Sequence, residues 1–289
     1  MLCIYHFSNF QIKLNSMKVR FSFIYIFLFT TLIFSSCGSD DAEPELNLNG
    51  RGDLVFYFDN TVGNELLALN NTTYKNSSGE SFRVTGLSYY VSNFKLQRKD
   101  GGEYVIPQDS SYFLINAADK NSYEVRLENV PVGDYSGVSF VLGVDSARTV
   151  SSLEKRKGVL DIAAGQPGAS MYSDANDGYT FLKLEGTSVS AASGKFEYQI
   201  KGFGGATART VNNIKTINIP FTGTIASVTT TKSPEAHLLI NILKIFDGST
   251  RISIAGLPQA ITPELTAPLA SNYTTMFTLD HIHPTSSAH

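Results

Sequence analysis

The sequence of 289 residues has little sulfur, no tryptophan and no excess of basic charge. Its two cysteines are Cys3 and Cys37, so the chain that follows Cys37 contains no thiol for disulfides, thiolate metal sites or iron–sulfur clusters. The 23 basic and 26 acidic side chains give a net charge of -3, which provides no electrostatic footprint for nucleic acid. The chain is nevertheless 42% hydrophobic, which is enough to bury a sizeable core.

The N-terminal segment predicts export. Residues 21–34 form the longest apolar run, but a helix needs about 20 apolar residues to cross a bilayer. Lys18 and Arg20 precede this run and two serines follow it, which is the pattern of a secretory signal. Small residues directly before Cys37 also resemble the lipobox of bacterial lipoproteins, in which the cysteine is lipidated. The alternative is an ordinary secretory signal with an incidental cysteine.

These signals divide the chain into three parts. Residues 1–36 are predicted to be an over-called start followed by a lipoprotein signal peptide, and residues 37–50 a flexible acidic tether. Residues 51–289 are predicted to form one domain, since their length suits one or at most two. The expected location is the cell envelope, as an outer membrane lipoprotein that faces the periplasm or is exposed on the surface. The N-terminal lipid on Cys37 would hold it to the membrane.

Alternation of apolar and polar residues predicts an all-β domain. Residues 123–128 and 196–201 alternate with a period of two, as strands with one buried face do. Residues 238–246 form a β-branched and aromatic run that is typical of a strand buried on both faces. Helical periodicity is scarce, and only residues 151–157 and 268–276 suggest helices. The pattern indicates an antiparallel β-sandwich with one or two short helices.

Motifs for common enzymatic chemistry are absent from the sequence. There is no G-x-S-x-G elbow, phosphate-binding loop or dinucleotide fingerprint. Residues 174–178 are rich in oxygen ligands, but the loop lacks the final glutamate of a calcium site, so a polar turn is the preferred interpretation. Asp145 and Glu185 would suit acid–base catalysis, but nothing in the sequence places them together. We therefore expect a protein that is not an enzyme.

Histidine offers the clearest candidate for a binding site. His281 and His283 are two residues apart, so on an extended segment their side chains share one face, with Cα atoms about 6.5 Å apart. Two imidazoles facing one point suit copper or zinc, although a third donor must come from elsewhere. The alternative is an exposed tail without a metal. His237 opens an apolar strand and is interpreted as a strand-end residue rather than a ligand.

Six stretches, taken together and in order, resemble the MbnP-like copper-binding lipoprotein family of bacteria. They are residues 74–80, 89–96, 130–137, 143–146, 178–186 and 276–283. The resemblance extends over about residues 52–284. It implies an envelope β-sandwich that binds copper through imidazoles and a tryptophan oxidised to kynurenine. It also implies a dihaem peroxidase-like partner that performs this oxidation.

The sequence departs from the family pattern at the tryptophans. The family commonly has a Met-Tyr-Trp-x-Trp run, and its tryptophan positions fall here on Ser173 and Ala175. Because the chain has no tryptophan, kynurenine cannot form. The resemblance therefore identifies a degenerate member of the family.

Histidine positions of the family are also reduced. One family histidine corresponds to Gln199 and another to Asp59 or Asn60, so only His281 and His283 still match. Amide and hydroxyl groups bind copper far less well than imidazole, so a site built from His281 and His283, with Asp59 or Gln199 as a further donor, is expected to hold a divalent metal weakly. The first hypothesis is a copper- or metal-binding envelope lipoprotein with a reduced ligand set. The alternative is a metal-free binding or interaction module on the same scaffold, working in a surface complex.

Overall fold

Strands dominate the part of the chain that the computed structural model describes, residues 49–285. The predictions for the signal peptide, Cys37 and most of the tether lie outside these residues. The strands are β1 Arg51–Val62, β2 Glu65–Leu66, β3 Tyr74–Lys75, β4 Ser81–Arg98, β5 Glu103–Val105, β6 Tyr112–Asn116, β7 Glu124–Pro131, β8 Gly133–Leu142, β9 Thr180–Ser188, β10 Lys195–Lys201, β11 Lys215–Pro220, β12 Ala226–Val228, β13 Glu235–Asn241, β14 Gln259–Ala260 and β15 Phe277–His283, and the α-helices are α1 Ser146–Thr149 and α2 Pro263–Asn272.

The strands form two sheets. The smaller sheet has the order β15-β13-β1-β2, with β7 also beside β1. The larger sheet has the order β11-β8-β4-β9-β10-β14; β12 lies beside β8, and β3, β5 and β6 lie beside β4. Most neighbouring strands are antiparallel, but β1 and β13 are parallel, as are β10 and β14. The β-sandwich prediction is confirmed, and its sheets are mixed rather than purely antiparallel.

Alternate residues of each strand point into a core between the sheets. On β1 the inward side chains include Phe56 and Phe58, both fully buried. Phe56 meets Phe94 of the larger sheet with ring centroids 5.9 Å apart, and Phe58 meets Phe140 at the same distance. Aromatic contacts of this kind join the two layers. Tyr57, which lies between them on β1, therefore faces outward.

The predicted strand over residues 238–246 is shorter in the structure. Strand β13 ends at Asn241, whose side chain accepts a hydrogen bond from the N–H of Leu243. This contact caps a turn of 3-10 helix over Ile242–Ile245, whose residues Ile242 and Ile245 are buried. A continuous apolar run fits either a buried strand or a buried helical turn, so the hydrophobicity pattern alone did not separate them.

The two predicted helices have different outcomes. The helix predicted over residues 151–157 is wrong, because that range contains only a 3-10 turn over Leu153–Lys155. Helix α1 lies before it and starts at Ser146, where the side chain of Asp145 accepts the N–H of Arg148. Helix α2 starts at Pro263, five residues before the predicted start, and tolerates a second proline in its interior. Within residues 49–285 neither helix has the length and hydropathy required to cross a bilayer.

Candidate metal centre

Two neighbouring strands of the smaller sheet, β13 and β15, carry a cluster of histidines on its outer face, and β1 lies beside them. In the parallel pair, Tyr57 of β1 lies opposite His237 of β13. On the other side of β13, His237 lies opposite His281 of β15, and Glu235 lies opposite His283. The register of three strands thus brings together side chains that are far apart in the sequence.

A β-bulge in β15 turns the two C-terminal histidines outward. Phe277 and Leu279 pack on the core, so strict alternation would also direct His281 inward. The register shifts at this point: His237 pairs with His281, whereas the next residue of β13 pairs with Leu279. Asp280 is the extra residue of the bulge. Beyond it Ile282 packs on the core, so His281 and His283 face outward.

The imidazole rings are close enough to share one ion. The Nε2 atoms of His281 and His283 lie 2.9 Å apart, and the ring of His237 is stacked on that of His281 with centroids 4.6 Å apart and planes within 6°. One ring nitrogen from each of the three histidines lies within 4.8 Å of the other two. Metal–nitrogen bonds are about 2.0–2.1 Å long, so this spacing fits an ion after small ring rotations.

Carboxylates hold two of the three rings. Oδ2 of Asp59 lies 2.9 Å from Nδ1 of His237, and Oδ2 of Asp280 lies 2.8 Å from Nδ1 of His281. Oε1 of Glu235 lies 2.9 Å from the second nitrogen of His237, Nε2. Contacts between carboxylates and the second ring nitrogen are the usual way in which metal-binding histidines are oriented.

The electrostatic environment of the cluster is negative. Burial raises the pKa of Tyr57, whose ring centroid lies 5.2 Å from that of His237, and the charges of Asp59, Glu235 and Glu124 raise it further. Asp59 and Glu235 also contact the ring of His237 directly, so carboxylates lie beside the imidazole cluster.

The predicted pair His281 and His283 does converge, but the third imidazole was missed. His237 lies two residues after Glu235, the first residue of β13, and on the sequence alone it is interpreted as a strand-end residue. The signal for it lay in the Glu-x-His spacing, which puts both side chains on one face of a strand. Of the two alternatives near the start of the domain, Asp59 contacts His237, whereas Asn60 faces the core and accepts a hydrogen bond from the Tyr89 hydroxyl.

Gln199 has a different environment. It lies on β10 of the larger sheet, between the core residues Tyr198 and Ile200, so its side chain faces away from the core on the opposite side of the sandwich. Its amide donates a hydrogen bond to Glu197. Of the further donors that the sequence leaves open, Asp59 therefore contacts the histidine cluster and Gln199 lies away from it.

The family model of MbnP matches residues 51–263. The chain belongs to the MbnP family. Among solved structures, MbnP from Methylosinus trichosporium is similar, with a TM-score of 0.51 and 14% identity over 75% of this chain and 86% of that chain. At this identity the similarity shows a shared fold. The comparison with curated proteins gave no match.

The MbnP match covers only part of the candidate centre. It includes β1 and β13, and with them Asp59, Glu235 and His237, but it ends before β15. The C-terminal pair of histidines therefore comes from outside the matched range. In this member the position assigned to a family tryptophan, Ser173, lies beside Lys201, with Oγ 2.9 Å from Nζ.

The remaining polar motifs have structural contacts in this MbnP-family fold. Asp174 accepts the N–H groups of Asn176 and Asp177, so the loop that suggested calcium uses its oxygens to form a turn. Asp145 caps α1, and Glu185 forms an ion pair with Lys183. Asp145 and Glu185 thus have separate structural partners, a cap and an ion pair.

Proposed function

We propose that this protein binds a divalent metal ion, copper foremost, through His237, His281 and His283. The observation that carries the proposal is the approach of three imidazole nitrogens to within 4.8 Å of one another on an accessible sheet face. Membership of the MbnP family, which is associated with metal binding, supports it. The proposed role is binding rather than catalysis.

The donor chemistry favours copper and zinc. Imidazole nitrogen is a borderline ligand that suits both ions, and copper(II) is the most strongly bound of the divalent first-row metals. Because the chain has no tryptophan, the site contains no kynurenine, and we propose that it differs in metal preference from family members that have one.

A metal-free binding module is the second candidate, and one observation favours it. Both nitrogens of His237 and both nitrogens of His281 have hydrogen-bonding neighbours within the chain. Such a network is able to stabilise the sheet face by itself. The two candidates differ in whether the chain binds metal at all.

Titration of the protein with copper(II) and zinc(II), followed by calorimetry, tests the proposal. Wild type should bind a single ion, and the electron paramagnetic resonance spectrum of its copper(II) form should show nitrogen ligands. His237→Gln retains a side chain that hydrogen-bonds the neighbouring carboxylates but cannot replace imidazole, so it should weaken binding about 10–100-fold. Gln199→Ala, on the other sheet, is the matched control and should bind as wild type. Absence of binding by wild type would favour the metal-free module.

We also propose that the protein works in the cell envelope, anchored to the outer membrane by lipid on Cys37. The support is the sequence pattern before that cysteine. A dihaem peroxidase-like partner stays a prediction from the resemblance. The chain has no tryptophan that such a partner would oxidise.

Replacing the lipidated residue tests the anchor. Cells that produce Cys37→Ser should incorporate no labelled palmitate into the protein, which should leave the membrane fraction because its single lipid attachment is lost. Ser36→Ala keeps a small residue before the cysteine and should be labelled as wild type. Labelling of the Cys37→Ser protein would contradict the proposal.

A further inference from the structure

The imidazole of His237 lies between two carboxylates that differ in their access to water. Asp59 contacts Nδ1 and has 24% of its side chain exposed, whereas Glu235 contacts Nε2 and its side chain is completely buried. A neutral imidazole carries one N–H and one lone pair, so only one of its nitrogens is available to an ion. Which nitrogen that is decides which carboxylate becomes the neighbour of the ion.

Strand register identifies the nitrogen. Glu235 lies opposite His283, so Nε2 of His237, which points to Glu235, is directed to the end of the cluster where His283 lies. The stacked ring of His281 also directs its Nε2 to His283, at 2.9 Å from Nε2 of that residue. Both stacked rings have their Nδ1 atoms on an aspartate, Asp59 for one and Asp280 for the other. The two rings thus present equivalent atoms in the same direction.

This arrangement separates the roles of the carboxylates. The aspartates contact the nitrogens that point away from the converging Nε2 atoms, so they are positioning residues. Glu235 contacts the very nitrogen that would bind the ion. With the lone pair of Nε2 given to a metal, the nearest oxygen of Glu235 would face that metal instead of a ring proton.

We propose that Glu235 is the fourth donor of the centre and makes it selective for divalent ions over copper(I). The inference rests on the proposed metal-binding function and deepens it. A buried carboxylate is a costly charge that a divalent cation compensates more completely than a monovalent one. Carboxylate oxygen is also a harder ligand than imidazole, which favours copper(II) and zinc(II) over the softer copper(I).

A pair of matched substitutions in the full-length protein tests the assignment. Glu235→Gln and Asp59→Asn each convert a carboxylate that contacts His237 into an amide of nearly the same shape. Affinities for copper(II), zinc(II) and copper(I) are then measured with competing chelators. Glu235→Gln should weaken copper(II) and zinc(II) binding about 10–100-fold and leave copper(I) binding within about threefold of wild type. Asp59→Asn should weaken all three ions by a similar factor, because it affects only ring orientation.

The outcomes separate the inference from the proposed function. Equal weakening of all ions by Glu235→Gln would show a positioning role and overturn the inference, while metal binding by wild type still stood. Failure of wild type to bind any of the ions would remove both.

A measurement on wild type covers the case in which Glu235→Gln does not fold. The crystal structure of the zinc-loaded protein should place an oxygen of Glu235 about 2.0–2.2 Å from the ion. A water molecule in that place, with Glu235 still on the ring of His237, would overturn the inference.

Discussion

The double variant His281→Ala/His283→Ala should lose detectable copper(II) and zinc(II) binding. It removes two of the three imidazoles and leaves His237, whose ring is tied to Asp59 and Glu235. Loss of an outer-shell partner alone costs about 10–100-fold in affinity, so loss of two direct ligands should exceed about 100-fold. Calorimetric titration of wild type and variant under identical conditions measures the difference.

The same variant should fold normally. His281 is exposed and His283 half-buried on an edge strand, and neither belongs to the core, so we expect a loss of stability of about 1 kcal/mol or less. Thermal unfolding of the variant should therefore resemble that of wild type, which excludes unfolding as the cause of lost binding. Thr278→Ala, also exposed on β15, is the matched control and should bind metal as wild type. Undiminished binding by the double variant would place the metal elsewhere in the chain.

The sequence predicted the C-terminal half of this centre because it needed only local geometry. Residues two apart on a strand share a face wherever the strand lies, so the convergence of His281 and His283 followed from their spacing. Their direction did not follow, since it depends on the bulge at Asp280 that reverses the alternation begun by Phe277 and Leu279. A bulge leaves little trace in a single sequence.

His237 required knowledge of sheet topology. It joins the cluster because β13 lies between β15 and β1, and β1 runs parallel to it although the two are separated by most of the chain. Parallel pairing of distant strands is set by the whole fold and not by the residues of either strand. The same reason explains why Asp59 was found only as one of several alternatives. The alternating patterns, in contrast, predicted β7 and β10 correctly because burial of one face is a local property.

Replacing Glu80 should destabilise the fold more than the double histidine variant does. Glu80 belongs to one of the stretches that carry the family resemblance, and its carboxylate accepts hydrogen bonds from Asn76, Ser253, Ile254 and Ala255 at 2.7–2.9 Å. These contacts join the loop after β3 to the segment before β14. Glu80→Ala leaves several buried donors without an acceptor, and we expect a loss of about 3–5 kcal/mol in the free energy of unfolding. Urea unfolding at neutral pH measures it.

The contribution of Glu80 to the free energy of unfolding should depend on pH. Burial alone would raise the pKa of Glu80, but the hydrogen bonds from Asn76, Ala255, Ile254 and Ser253 outweigh it and hold the pKa below its ordinary value of 4.5. A carboxyl whose pKa is lower in the folded state stabilises the protein above its unfolded pKa, and this stabilisation is lost as the pH falls through the folded value.

The stability difference between wild type and Glu80→Gln should therefore be constant near neutral pH and shrink in acid below about pH 4.5. The glutamine retains the shape of the side chain but has no charge to lose. Glu128→Gln, an exposed change on β7, is the matched control and should follow wild type at every pH. A difference for Glu80→Gln that persists unchanged in acid would mean that it does not come from the ionised carboxylate, and the absence of a difference at any pH would mean that the shape of the side chain is sufficient.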